Sequence, residues 1–147
     1  MDDNPILLVE DDSNDVELTL MALRKNRINS RVIVVRDGLE ALEYLFAEGR
    51  HSDRGSHDLP ALVLLDLKLP YVSGLEVLKR IKADETTKVV PVVVLTSSTE
   101  QKDIRCCYEY GANGYVRKPA SFDDFVTLVK RLHEYWFVVN LPPPTNN

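Results

Sequence analysis

Five short apolar runs, each closed by a charged or hydroxyl-bearing residue and all separated by segments of helical period, restrict this chain to an α/β fold with a parallel sheet. The runs are Ile6 to Val9, Val32 to Val35, Leu62 to Leu65, Val92 to Leu95 and Gly114 to Val116. Periodicity and capping residues predict helices over about 13–26, 38–48, 73–83, 99–109 and 121–138. Ser73 with Glu76 and Ser98 with Gln101 fit capping boxes, and Ser121 with Asp124 does so more loosely. In the last helix Phe122, Phe125, Val126, Val129, Leu132 and Trp136 form one stripe, which reads as core.

The ends of the runs carry the chemistry. Glu10-Asp11-Asp12 follows the first run, Asp66 the third, Thr96 the fourth, and Lys118-Pro119 the fifth. In an open parallel sheet the carboxyl ends of the strands share one edge, where ligands bind. Glu10, Asp11 and Asp66 in one pocket repel one another unless a cation or protons relieve them. All-oxygen donors suit Mg²⁺ or Mn²⁺, and Mg²⁺ takes one or two carboxylates together with waters and phosphate oxygens. Lys118 brings a compact positive charge for a phosphoryl oxygen, and the Thr96 hydroxyl a further donor. Phosphoryl transfer needs alignment and charge neutralisation more than covalent machinery, and Asp66 is the natural acceptor, as carboxylates form aspartyl phosphates. Asp12 reads as a helix cap rather than a ligand.

The remaining features exclude whole classes. At 147 residues and 44% hydrophobic content the chain has the size of one domain that needs no staples, expected over 1–141, with a proline-rich tail, 142–147, extended or disordered. A formal net charge of -5 with scattered basic residues argues against a nucleic-acid surface. The adjacent Cys106 and Cys107 rarely meet disulfide geometry and favour a reduced, cytoplasmic setting. The acidic N-terminus lacks the features of a secretory signal, and Val89 to Leu95 is too short to span a bilayer. The polar segment from Glu48 to Pro60 reads as a long surface loop, whose His51 and His57 fall short of a metal-ligand set.

As an ordered set, Val9-Glu10-Asp11-Asp12, Leu65-Asp66-Leu67-Lys68-Leu69-Pro70 with Ser73-Gly74, Val94-Leu95-Thr96-Ser97 and Gly111-Ala112-Asn113-Gly114-Tyr115-Val116-Arg117-Lys118-Pro119 resembles the receiver domain of two-component response regulators, over about 5 to 138. The resemblance implies a flavodoxin-like, doubly wound five-stranded parallel sheet of order 2-1-3-4-5 with five helices. It makes Asp66 the phosphoacceptor, Asp11 a direct Mg²⁺ ligand, Glu10 an acid acting through water, and the Lys68 backbone carbonyl a further ligand. Thr96 and Lys118 would hold the phosphoryl group, and Tyr115 would swing inward as Thr96 moves. The Lys118-Pro119 bond is expected to be cis. Such a chain is a switch and not an enzyme acting on external substrates.

Output is then expected through contact with a downstream protein of unknown identity. Tyr135-Trp136-Phe137-Val138-Val139-Asn140-Leu141 is apolar except at Asn140 and offers a homodimer contact. With Glu134-Tyr135-Trp136 and the long loop after the second helix, it also looks like the small regulators paired with phytochrome-type sensor histidine kinases. The competing readings are a Mg²⁺-dependent phosphatase or phosphotransferase of the haloacid dehalogenase type, a flavin-binding module, and an unphosphorylated scaffold. The first wants a second aspartate where Lys68 stands; the second has no use for an acid pocket that repels its phosphate.

Overall fold

Strand residues alternate between two cores, and that alternation fixes the layers. In the computed structural model, which describes residues 4–55 and 58–144, strands β1 (Ile6–Val9), β2 (Val32–Val35), β3 (Leu62–Leu65), β4 (Val92–Thr96) and β5 (Gly114–Arg117) form one sheet. Their order is β2-β1-β3-β4-β5, and every pairing is parallel. Leu7, Val9, Val63, Leu65, Val92 and Val94 face one core, while Ile6, Leu8, Leu62, Leu64, Val93 and Leu95 face the other. The period of two in the side chains gives each strand both faces to bury, so the apolar runs are continuous rather than alternating.

Helices α2 (Gly38–Phe46), α3 (Gly74–Ala83) and α4 (Gln101–Glu109) flank the first core. Helices α1 (Ser13–Lys25) and α5 (Phe122–His133) cover the second. Asn26 ties these two together by donating to the Val126 carbonyl at 2.9 Å. The fold is therefore the doubly wound α/β architecture expected from the alternating runs.

Local chemistry explains the boundaries. Asp12 caps α1 by accepting from the Asn14 and Asp15 amides, Ser73 caps α3 through the Glu76 amide, and Ser121 caps α5 through the Asp124 amide. The box predicted from Ser98 and Gln101 does not form. The Ser98 hydroxyl donates to the Asp103 carboxylate at 2.6 Å and its oxygen accepts from the Glu100 amide at 3.2 Å instead of from the first turn, and α4 starts at Gln101 without a side-chain cap. Gly38 and Gly74 are required by packing. A Cβ on Gly38 would fall inside contact distance of the Val72 carbonyl, and one on Gly74 would do the same to the Asp66 carbonyl.

The segment from Glu48 to Pro60 is more organised than a loop. It contains a 3₁₀ turn at Gly49–His51, and Arg54 donates to the carbonyls of Tyr44 and Leu45 at the end of α2. The same guanidinium lies 4.9 Å from the Tyr44 ring centroid. His51 pairs with Glu40 at 3.1 Å; His57 lies outside the described residues. No helix among those residues is long and apolar enough to cross a membrane.

The C-terminal stretch splits between inward and outward side chains. After α5 the chain enters a π-helical turn, Glu134–Val139, closed by the Asn140 amide on the Tyr135 carbonyl at 2.7 Å. Trp136 and Phe137 are half-buried and pack against the core shared by α1 and α5, because the continued helical winding keeps them on the stripe that begins at Phe122. Tyr135, Val138, Val139 and Leu141 point outward, the last three 70%, 65% and 88% exposed. Pro142 to Pro144 are exposed and without regular structure; residues 145–147 of the tail lie outside the described residues.

Candidate functional site

Parallel register places the polar strand ends together. Val9 pairs with Leu65, Leu65 with Val94, and Thr96 with Arg117. Each residue that follows is pinned by a backbone bond from the next strand: Glu10 N donates to Val35 O at 3.0 Å, Asp66 N to Val9 O at 3.1 Å, and Lys118 N to Thr96 O at 2.7 Å. Glu10, Asp66, Thr96 and Lys118 consequently share the carboxyl edge of the sheet, as the sequence implied.

Lys118 is the hub of this edge. Its Nζ lies 2.8 Å from Glu10 Oε1, 3.0 Å from Asp66 Oδ2 and 2.7 Å from Asp15 Oδ2. An ammonium has three donors, and three carboxylates take them. Burial works against the charge on Lys118, but the hydrogen bonds to Asp15, Glu10 and Asp66 outweigh it and hold the ammonium above the ordinary lysine value. For Glu10 burial prevails. It raises the carboxyl from 4.5 to about 7, against the hydrogen bonds from Lys118 and from the Asp12 amide.

Around this hub the other residues take distinct places. Asp66 is buried, and its Oδ1 accepts weakly from the Lys68 amide at 3.4 Å. Thr96 is fully buried, with Oγ1 facing the Ser98 amide at 3.4 Å. The Tyr115 hydroxyl donates to the Ser98 carbonyl at 3.0 Å, so the ring is turned onto the loop that follows β4. Burial raises the Tyr115 phenol above its ordinary value. The Lys68 and Asp11 side chains are exposed.

One expectation is corrected and one contact was unforeseen. The Lys118–Pro119 peptide is trans, as are all peptide bonds among the described residues; trans is the intrinsic preference of an X-Pro bond by about 0.5–1 kcal/mol, and motif identity alone does not overcome it. The acid that joins Glu10 and Asp66 at Lys118 is Asp15 rather than Asp11. The Lys118 ammonium supplies the positive charge between Glu10 and Asp66, and Asp11 faces solvent. Asp15 was missed entirely. Its only sequence signal was an acid in the first turn of a helix, which the dipole explains without any partner.

The donor set still fits a hard cation. Glu10 and Asp66 are close enough to share one ammonium, Asp11 adjoins Glu10 in the chain, and every available donor is oxygen. With water completing its shell, a divalent ion needs only one or two of these carboxylates. A haloacid dehalogenase type of reaction fits less well. It wants an acid two residues after Asp66, and the exposed Lys68 occupies that position.

Burial of Glu10 makes the metal-free protein sensitive to pH. A carboxyl that titrates near 7 when folded and near 4.5 when unfolded favours the folded state while it is protonated. Stability therefore falls as pH rises from 4.5 through about 7. Glu10→Gln should flatten that part of the melting-temperature profile; an unchanged slope would assign it to another group.

The chain is similar to known proteins over most of its length. Residues 6–130 match the response regulator receiver domain. A probable methanogenesis regulatory protein, FilR2 of Methanothrix harundinacea, is 43% identical over 138 residues, covering 94% of this chain and 86% of that protein. Response regulator Rcp1 of Synechocystis is 38% identical over 138 residues, covering 93% and 92%. The Mn²⁺-bound form of Rcp1 superposes with a TM-score of 0.86 at 35% identity, covering 96% of this chain and 99% of that one. The phosphorylated cyanobacterial phytochrome response regulator RcpA superposes with a TM-score of 0.88 at 39% identity, again over 96% and 99%.

Proposed function

The chain belongs to the response regulator receiver family, and from that premise we propose that it is a phosphorylation switch whose acceptor is Asp66, not an enzyme that turns over external substrates. The observation that carries the reading is the single ammonium of Lys118 held 3.0 Å from the buried Asp66 carboxylate and 2.8 Å from Glu10. That is a cation fixed beside the one strand-end acid at the centre of the sheet. The donor is a phosphohistidine of a sensor histidine kinase. Its P–N bond breaks as a P–O bond forms to the Asp66 carboxylate, and the imidazole leaves with a proton. Water later cleaves the acyl phosphate and returns inorganic phosphate.

Glu10, Asp11, Asp66 and the Lys68 backbone carbonyl would hold Mg²⁺, or Mn²⁺ as named for the Rcp1 structure. The ion supplies positive charge to the phosphoryl oxygens and to the carboxylates beside them. Lys118 takes one phosphoryl oxygen and the Thr96 hydroxyl another. Thr96 is fully buried, so it reaches the group only by moving with the loop on which Tyr115 rests; the Thr96 shift and the Tyr115–Ser98 bond are thus one motion. Incubation with a small phosphodonor and Mg²⁺ should add one phosphoryl group by intact mass. No gain from either a small donor or a kinase would overturn the reading.

The resemblance to Rcp1 and RcpA supports a phytochrome-type kinase as the donor. Output passes by protein contact to a downstream partner, with the protein acting as a homodimer in the cytoplasm. Outward-facing Val138, Val139 and Leu141 supply apolar area that its own fold leaves uncovered. Val138→Glu with Val139→Glu should yield a monomer in light-scattering chromatography while the melting temperature stays within a few degrees. A dimer that survives both substitutions would place the contact elsewhere. Trp136 is the wrong probe, since it packs in the chain's own core.

A further inference from the structure

Of the three carboxylates on Lys118, two have other duties. Under the proposed function, on which this inference rests, Asp66 accepts the phosphoryl group and Glu10 serves the cation. Asp15 has neither role, yet it makes the shortest of the three contacts, 2.7 Å. It stands in the first turn of α1, where the Asp12 cap fixes its backbone amide at 3.1 Å. The pair bridges 103 residues of sequence and links α1 to the end of β5. Lys118 is nearly buried, with 11% of its side chain exposed, and that of Asp15 is 26% exposed.

We propose that Asp15 is a positioning residue that tethers the Lys118 ammonium beside the acceptor while Asp66 and Glu10 pass to the phosphoryl group and the cation. A lysine stem has four rotatable carbons and no intrinsic direction, so its charge is useful only where something holds it. In the resting protein all three acids hold it. On arrival of the donor phosphoryl group, Lys118 must release Asp66 Oδ2 for the incoming phosphorus while staying within reach of the new oxygens. One retained contact to an acid outside the reacting set allows that pivot. The helix-dipole explanation of Asp15 requires no such coupling, because it is satisfied by any acid in the turn whatever Lys118 does.

The test uses the full chain with Asp15→Asn and Asp15→Glu. In metal-free wild type, nitrogen-15 NMR should show a Lys118 ammonium whose protons exchange slowly. Asp15→Asn should speed that exchange and slow phosphorylation by a small phosphodonor at saturating Mg²⁺, each by roughly tenfold, the size expected for one charge-assisted hydrogen bond. Asp15→Glu should recover much of both, and Asp15→Asn should cost nothing further in rate once Lys118→Met is present. The tether is overturned if Asp15→Asn leaves either the exchange or the rate at its wild-type value. It is equally overturned if the rate still falls in the Lys118→Met background. A wild type that takes no phosphoryl group would refute the switch itself, and the ammonium signal would still judge the contact.

Discussion

Asp66→Asn is expected to abolish phosphoryl gain completely and to leave the fold intact. An amide has no anionic oxygen to attack phosphorus, so neither a small donor nor a kinase should add mass. The folded state should not suffer. The new side chain keeps a carbonyl oxygen for Lys118, and the repulsion between Asp66 and the buried Glu10 disappears. A melting temperature equal to or above that of wild type, together with no mass gain, separates lost chemistry from lost structure. Incorporation at an undiminished rate in this variant would move the acceptor to another residue.

Lys118→Met should have the largest effect on stability. Methionine matches the apolar stem but leaves Glu10, Asp15 and Asp66 facing one another without their shared cation. Removing one partner from a buried charged cluster costs about 3–5 kcal/mol, and this cluster has three acids to strand. The loss should be greatest at neutral pH without metal. It should shrink on acidification, because Glu10 takes up its proton readily from about 7 downward. Added Mg²⁺ should also restore much of it by supplying the missing positive charge. Urea titrations with and without Mg²⁺ across that pH range would show both effects. A variant as stable as wild type throughout would mean that the three contacts contribute little to folding.

The sheet was legible because each strand shows both faces to a core. That requirement writes an unbroken apolar run, and Ile6 to Val9, Val32 to Val35 and Leu62 to Leu65 end where the run ends. The strand-end chemistry was legible for the same reason, since Glu10, Asp66 and Lys118 interrupt such runs. What the chain hid were pairings set by orientation rather than by pattern. Nothing in a first-turn acid says that Asp15 reaches a lysine on the far side of the sequence. Ser98 satisfied a capping spacing, yet its oxygen accepts from the Glu100 amide outside the helix while its proton goes to Asp103. The apolar tail, offered as one contact although Trp136 also lay on the core stripe, is divided by helical geometry into the inward Trp136 and Phe137 and the outward Val138 and Val139. Composition reports how much apolar surface there is, and only the winding of the backbone decides which side keeps it.

Gly74 gives the molecule a direction. Its missing side chain lets α3 press directly on the Asp66 carbonyl, and α3 is anchored below by buried Val77, Leu78 and Ile81. That flank has no slack. On the same face α4 buries only Cys107, starts without a side-chain cap, and is linked to β5 through the Tyr115 hydroxyl on the loop before it. Under the proposed switch, expansion around Asp66 meets a wall at α3 and a more loosely seated helix at α4, so the packing that exists before any phosphate arrives already favours one direction of yielding.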